Sequence, residues 1–332
     1  MLLDAPVVGG DGAHDPADVD AGQVDGVGVD GAGFDELLDL GDRDLRPESA
    51  ANGKQDVEVR HLLSHTSGVS GLDHPARLED LYDVREAAAR LASQAPWWRP
   101  GSASGYHVLN YGHLVGELVH RLTGLSLRDF VRRHIVEPLG ADFRIGLDEA
   151  DLGRVADITP PALDFDPSVL DHDTVAYKTF TGPSFRASAA NSPAWRAADL
   201  GAANGHGNAL SVADVHAPVS REGATAHGRL LGPGTVKLVF DEQSRGADLV
   251  NGLHLRWGIG YALPDRRTLP WIPDGRVAFW GGWGGSMAVM DLDRRMTISY
   301  VMNNMGPDIL GSPRAAAYVT AVYRALGVDA SS

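Results

Sequence analysis

Apolar positions first recur with helical spacing between Arg77 and Gln94. There Leu78, Leu81, Tyr82, Ala88, Leu91 and Ala92 share one stripe, with Arg and Glu residues opposite, so the pattern predicts an amphipathic helix. Val108 to Leu122 repeats it with Tyr111, Leu114, Val115, Leu118 and Val119. Gly124 is placed to stop that helix, because glycine accepts the left-handed conformation in which helices commonly end. Ser126 with Asp129 reads as a capping-box variant opening a third helix, which Pro138 is expected to end. Ser312-Pro313 opens a last helix closed by Gly327. Between Arg276 and Met302 the period changes: VAFWGG and then GSMAVMDLDRRMTISYVMN read as strands around a turn at Asp291 to Arg294. Helices followed by a C-terminal hairpin and a terminal helix predict an α+β fold.

Neither period is visible before Phe34. Residues 1–45 hold eleven Asp and one Glu against Arg43 alone, together with nine Gly, so most of the chain's net charge of −15 falls there. Such a stretch has too little apolar surface to offset the entropy of ordering. Residues 1–46 are therefore expected to be an acidic, disordered or mis-framed segment, and 47–332 the folded domain. Asp18, Asp20, Asp25 and Asp30 do not fall in the ligand order of a calcium loop.

Over the whole chain of 332 residues, 29 Lys+Arg stand against 44 Asp+Glu with no basic cluster, which argues against a nucleic-acid partner. With no cysteine, thiol nucleophiles, disulfides and cysteine-ligated metals are excluded. The N-terminus lacks a basic region followed by an apolar core, and no window approaches 18 apolar residues. The chain is expected to be soluble and cytoplasmic, with no membrane association. Residues 158–198 carry five prolines and scattered aromatics, including Tyr177 and Phe185, and are expected to form one wall of a cleft.

Three stretches carry the chemistry. They are Val57 to Gly68 (VEVRHLLSHTSG), Pro100 to His107 (PGSASGYH) followed by Tyr111 to Gly116 (YGHLVG), and Phe279 to Ser286 (FWGGWGGS). In this order they resemble the serine β-lactamase and penicillin-binding-protein-like superfamily, most closely its class C β-lactamase-like (family VIII) carboxylesterases. The likeness runs from about Pro47 to the C-terminus. It implies a β-lactamase/transpeptidase-like fold, an antiparallel sheet flanked by helices with a helical subdomain, the N-terminal part being incomplete. It also implies acyl transfer through a serine ester on a small ester or lactam-like substrate, without a cofactor or metal.

Residue by residue, Tyr106 matches the second-motif tyrosine, a proton shuttle. Val108 stands two residues on, where many lactamases have Asn. Trp280, Gly281 and Gly282 stand where lactamases place Lys-Thr-Gly, and loss of that Lys favours neutral esters over acidic lactams. The backbone N–H of Trp283 is one implied oxyanion donor, the other being that of the nucleophile itself. Trp98, His107, Tyr177 and Phe185 are candidate cleft residues.

The nucleophile motif Ser-x-x-Lys is missing. The only lysines are Lys54, Lys178 and Lys237, preceded at three residues by Ala51, Val175 and Gly234. By the resemblance the motif belongs roughly 45 residues before HLLSHTSG, inside the acidic segment. Two readings stay open: a shifted or truncated reading frame, or a pseudoenzyme that keeps the cleft for binding. The bland readings of the other candidates are structural. His61 and His65 lack the Glu of a zinc helix, since Leu62 takes its place. Ser64 and Ser67 are expected to turn the backbone at a helix end. No Gly-x-Ser-x-Gly elbow occurs.

Overall fold

A computed structural model describes residues 34–162 and 165–328. The expectations for residues 1–33, the aspartate run and the motif position among them, lie outside the described residues.

The first helices are α1 (Phe34–Asp39), α2 (Asp42–Leu45), α3 (Val59–Leu63), α4 (Val84–Ser93), α5 (Asn110–Thr123), α6 (Leu127–Val131) and α7 (Glu137–Leu139). The helix expected from Arg77 onward is divided, with a 3-10 turn at Leu78–Leu81 ahead of α4. The Asp83 carboxylate causes the break by accepting from the N–H of Glu86 at 3.0 Å, which starts a new helix there. Gly124, at φ 73°, ends α5 as expected, and Ser126 accepts from the N–H of Asp129 at 3.1 Å to open α6. Pro138 does not end its helix. A π-helical turn at Arg132–Val136 runs directly into α7, Pro138 follows that turn, and Gly140 at φ 62° is the stop.

The last part of the segment expected to be disordered carries helices. Residues 34–46 form α1 and α2, and Leu37, Leu38 and Leu45 pack with Val115, Leu118 and Phe130. Arg46 and Asp42 make a buried ion pair through two hydrogen bonds. Composition missed this because a few leucines among many acids suffice when α1 and α2 both turn theirs into one core.

Two small two-stranded antiparallel sheets follow: β1 (Phe143–Ile145) with β2 (Gly205–Gly207), distant in sequence, and the hairpin of β3 (Ala224–Thr225) with β4 (Gly228–Arg229). Between β1 and β2 the proline-rich stretch holds α8 (Val175–Thr181) and α9 (Pro193–Ala197). Helices α10 (Ala209–Ser220) and α11 (Pro233–Val239) precede the main sheet, and α12 (Pro313–Ala325) closes the described chain.

The main sheet contains β5 (Ser244–Ala247), β6 (His254–Trp257), β7 (Ala262–Leu263), β8 (Val277–Gly281), β9 (Met287–Asp291) and β10 (Met296–Tyr300). Its spatial order is β10-β9-β8-β7-β6-β5, every pair antiparallel. Strand β9 is buried along its whole length because both faces of the sheet are covered. Met287 and Val289 join Val277, Phe279 and the α12 residues Ala315, Val319 and Tyr323 in one core. Ala288 and Met290 join Ala278, Val219 of α10 and Val236 and Val239 of α11 in another. The two-residue period of the strand thus feeds two separate cores. Among the described residues, no helix is long and apolar enough to cross a membrane.

Candidate active site

The second-motif tyrosine lies on the loop between Pro100 and α5, and backbone bonds from two directions fix that loop. The N–H of Gly105 donates to the His65 carbonyl at 2.9 Å, and the N–H of Tyr106 donates to the Asp248 carboxylate at 3.0 Å. Behind the tyrosine, the His107 ring is wholly buried between two partners. Nδ1 lies 2.7 Å from the Gly105 carbonyl and Nε2 lies 2.6 Å from Ser67 Oγ. A carbonyl only accepts, so Nδ1 carries the proton and Nε2 accepts from the serine hydroxyl. Burial holds the imidazole neutral, pushing it down to about 4.

This is a serine–histidine pair in hydrogen-bonded geometry, yet both residues are fully buried. No substrate reaches Ser67, and the pair braces the loop. His107 is therefore a buried support of the tyrosine loop, not an exposed group. His65 is also buried and is held well below its ordinary value, first by burial and then by the neighbouring His107. Its Nδ1 accepts from the N–H of His107 at 3.2 Å, while His61 Nδ1 accepts from the N–H of Glu58 at 3.0 Å. Both histidines are thus committed to the backbone, and the described residues hold no cluster of three groups suited to a metal. Ser64 Oγ donates to the Arg60 carbonyl at 2.7 Å, ending α3 as expected of a helix-terminal serine.

Strand β8 brings the third motif against the tyrosine. Trp280 Nε1–H donates to the Tyr106 hydroxyl at 3.1 Å across 174 positions of sequence, and the two rings are 4.8 Å apart. Trp257 at the end of β6 completes the aromatic group, nearly parallel to Tyr106 (8°), with its centroid 4.5 Å from Trp280 and 4.3 Å from His65. The Trp257 indole N–H is buried with no acceptor among the described residues. Burial is the main influence raising the Tyr106 phenol above its ordinary value. The Trp280 bond opposes that rise and the charge of Asp248 adds to it.

The turn after β8 leaves one amide unspent. The N–H groups of Gly282, Gly284 and Gly285 donate to the carbonyls of Ser286, Asp308 and Gly282, each at 3.0 Å. That of Trp283 has no acceptor among the described residues. Gly284 and Gly285 adopt φ of 101° and 116°, and a Cβ at Gly285 would lie 2.6 Å from Ser312 Oγ. Glycine is required there by conformation and by space.

The candidate cleft residues separate in the structure. Phe185 meets Trp283 edge-on at 6.3 Å and Trp195 at 5.5 Å, so the proline-rich stretch does reach the third-motif turn. Tyr177 stacks instead on His172 at 4.2 Å. Trp98 donates to the Ala103 carbonyl at 2.9 Å and packs against Gly105, supporting the tyrosine loop from below. Beyond Met302, whose methyl group borders Gly284, a cavity of about 520 Å³ is lined by Asp142, Arg144, Asp151, Arg154 and His206. Its two arginines already pair with its two aspartates.

Sequence reasoning missed Trp257 and Asp248. Neither lies in a motif, and only the fold brings β6 and the β5–β6 turn to Tyr106. The three lysines supply no base in the nucleophile's pattern. Lys54 is buried, with Nζ donating to the carbonyls of Ala51 (2.9 Å) and Gln94, and Lys178 and Lys237 lie on α8 and α11.

The family model described as Beta-lactamase matches residues 1–321. The chain is 38 % identical over 117 residues to "Esterase/beta-lactamase LipL" of Mycobacterium tuberculosis, a match covering 35 % of this chain and 27 % of that protein. The match thus spans about a quarter of the curated relative's length. Among solved structures, a family VIII carboxylesterase is 34 % identical with a TM-score of 0.80, over 86 % of this chain and 76 % of the other. A penicillin-binding-protein homologue from Caulobacter crescentus is 32 % identical with a TM-score of 0.76, over the same shares.

Proposed function

The chain belongs to the Beta-lactamase family, and from that premise we propose that its cleft handles small neutral acyl esters as a hydrolase of the esterase kind, with the covalent step impaired in this polypeptide. The observation that carries the reading is the bond from Trp280 to the Tyr106 hydroxyl, which joins the second and third motifs in one site. Because the indole donates, the phenol keeps its own O–H for a substrate or leaving-group oxygen. A lysine ammonium at position 280 would attract an acidic lactam. A neutral indole does not, which favours a substrate without a carboxylate.

The free N–H of Trp283 is suited to a developing oxyanion, since its neighbours are already committed. Phe185 beside Trp283 supplies an apolar wall for the acyl or alcohol part. The covalent route needs an alcohol paired with a base, and no Ser-x-x-Lys stands in the sequence. Without it, residual acceleration rests on oxyanion stabilisation and positioning, on the order of 10³-fold or less.

The missing motif also favours a second reading, a cleft retained for binding alone. A fluorophosphonate and p-nitrophenyl acetate separate the two. Covalent labelling together with turnover, both sensitive to Tyr106→Phe, supports the hydrolase. A thermal shift from a non-hydrolysable ester analogue with neither labelling nor turnover supports the binding protein.

A further inference from the structure

Asp248 immediately follows β5 and is 2 % exposed, yet among the described residues no cation pairs with it. Its carboxylate is satisfied by four neutral donors. Oδ1 accepts from the N–H groups of Tyr106 (3.0 Å), Val250 (3.0 Å) and Asn251 (3.2 Å), and Oδ2 accepts from Ser104 Oγ (2.9 Å). The backbone closes the same contact, because the N–H of Leu249 donates to the Ser104 carbonyl at 2.9 Å. The turn from Asp248 to Leu253 is itself tied by the N–H of Asp248 to the Leu253 carbonyl (2.8 Å) and the N–H of Gly252 to the Asp248 carbonyl (3.0 Å). One side chain therefore connects the β5–β6 turn to the tyrosine loop over 142 positions of sequence.

A purely mechanical clamp does not require a charge. A buried, unpaired carboxylate is costly, and an asparagine could make the same bonds at lower desolvation cost. What the charge adds is a field at the neighbouring phenol. The other groups facing Tyr106 are His65, held neutral, and the uncharged rings of Trp257 and Trp280. Asp248 is the charge acting on it.

We propose that Asp248 is the positioning residue of Tyr106: its buried carboxylate ties the tyrosine backbone to the β5–β6 turn and so holds the phenol where Trp280 meets it. The role rests on the site reading above, in which Tyr106 gives a proton to a substrate or leaving-group oxygen. A carboxylate placed on the backbone side of the ring disfavours the phenolate without competing for the hydroxyl, which Trp280 already orients.

The test compares Asp248→Asn with Asp248→Ala in the full chain. Asparagine keeps all four contacts, since Ser104 Oγ can accept from its amide, and removes only the charge. The expected result for Asp248→Asn is unchanged amide exchange at Tyr106, Val250 and Asn251. The Tyr106 phenol midpoint, read as the ultraviolet difference from the same chain carrying Tyr106→Phe, should fall, because the charge that adds to the effect of burial is gone. In Asp248→Ala, exchange at those three amides should rise at least tenfold while α12 amides stay protected.

An unmoved phenol midpoint in Asp248→Asn overturns the electrostatic half. Unchanged exchange in Asp248→Ala overturns the clamp. If Asp248→Ala does not fold, Ser104→Ala replaces it, with a rise in Tyr106 amide exchange expected and no rise overturning the clamp. None of these readouts needs turnover, so a chain that hydrolyses nothing can still support the role of Asp248. Conversely, a chain that turns over with the same kcat in Asp248→Ala keeps the hydrolase reading and loses this one.

Discussion

The tyrosine loop and the third-motif segment meet at the Tyr106–Trp280 bond, and they handle backbone strain in opposite ways. In the first, Val108, a β-branched residue, sits at φ 34°, two positions after Tyr106. In the second, the positions with positive φ are Gly284 and Gly285. A β-branched residue at positive φ is costly and persists only where its surroundings over-determine it. The buried bonds around Tyr106, from Asp248, His65, His107 and Ser67, provide that constraint. The glycine turn needs no such network. The comparison teaches that one side of the cleft presents a side chain held by polar contacts, and the other presents a backbone amide held by conformation.

The largest expected effect tests whether the two sides act together. Tyr106→Phe removes the phenol that joins them, and kcat/KM for p-nitrophenyl acetate should fall on the order of 10²-fold or more, as for loss of a proton-transfer group. A fall of less than threefold in an active preparation would show that Tyr106 is only a packing residue.

A second effect belongs to the tyrosine side alone. The folded-state value of His107 is depressed to about 4 from an ordinary 6.5, so below pH 6.5 the unfolded chain binds a proton that the folded chain refuses. Stability is therefore fully present above about pH 6.5 and is lost as the pH falls toward 4, by about 3 kcal/mol at the lower end. Urea unfolding at pH 7 and pH 4.5 should show the loss, and His107→Gln should flatten it. An equally steep profile in the variant would assign the dependence to other groups.

On the other side of the cleft, Gly285→Ala should cost about 2–3 kcal/mol, because it adds a Cβ against Ser312 at a φ that alanine avoids. Thermal melting measures this, and a shift below 1 °C would contradict the conformational account. The smallest effect is at the strained valine. Val108→Asn, whose side chain tolerates positive φ, should stabilise by about 0.5 kcal/mol. Destabilisation by Asn would mean that the apolar contacts of Val108 outweigh its strain.

Much of the fold was legible wherever periodicity was strong. α5, the cap at Ser126, the β9–β10 hairpin and α12 follow from spacing and end signals, because each depends on residues within a few positions of one another. The limits appear at Pro138, read as a stop but accommodated just after a π-helical turn, and at residues 34–46, where charge concealed the apolar positions of α1 and α2. Tyr106 and Trp280 were readable as motif residues. Trp257 and Asp248 were not, because nothing near them in sequence marks a tyrosine 151 and 142 positions away.

By itself the sequence determined the kinds of groups available: a tyrosine motif, a tryptophan in place of a lysine, a glycine turn, no cysteine and no serine–lysine pair. These are matters of composition and local order, which folding cannot change. The tertiary structure decided which of them meet. It placed the indole on the phenol, left the Trp283 amide unspent, withdrew Ser67 and His107 from solvent and aimed a carboxylate at the tyrosine backbone. Such contacts depend on strand register and burial, which are set by packing across the whole domain.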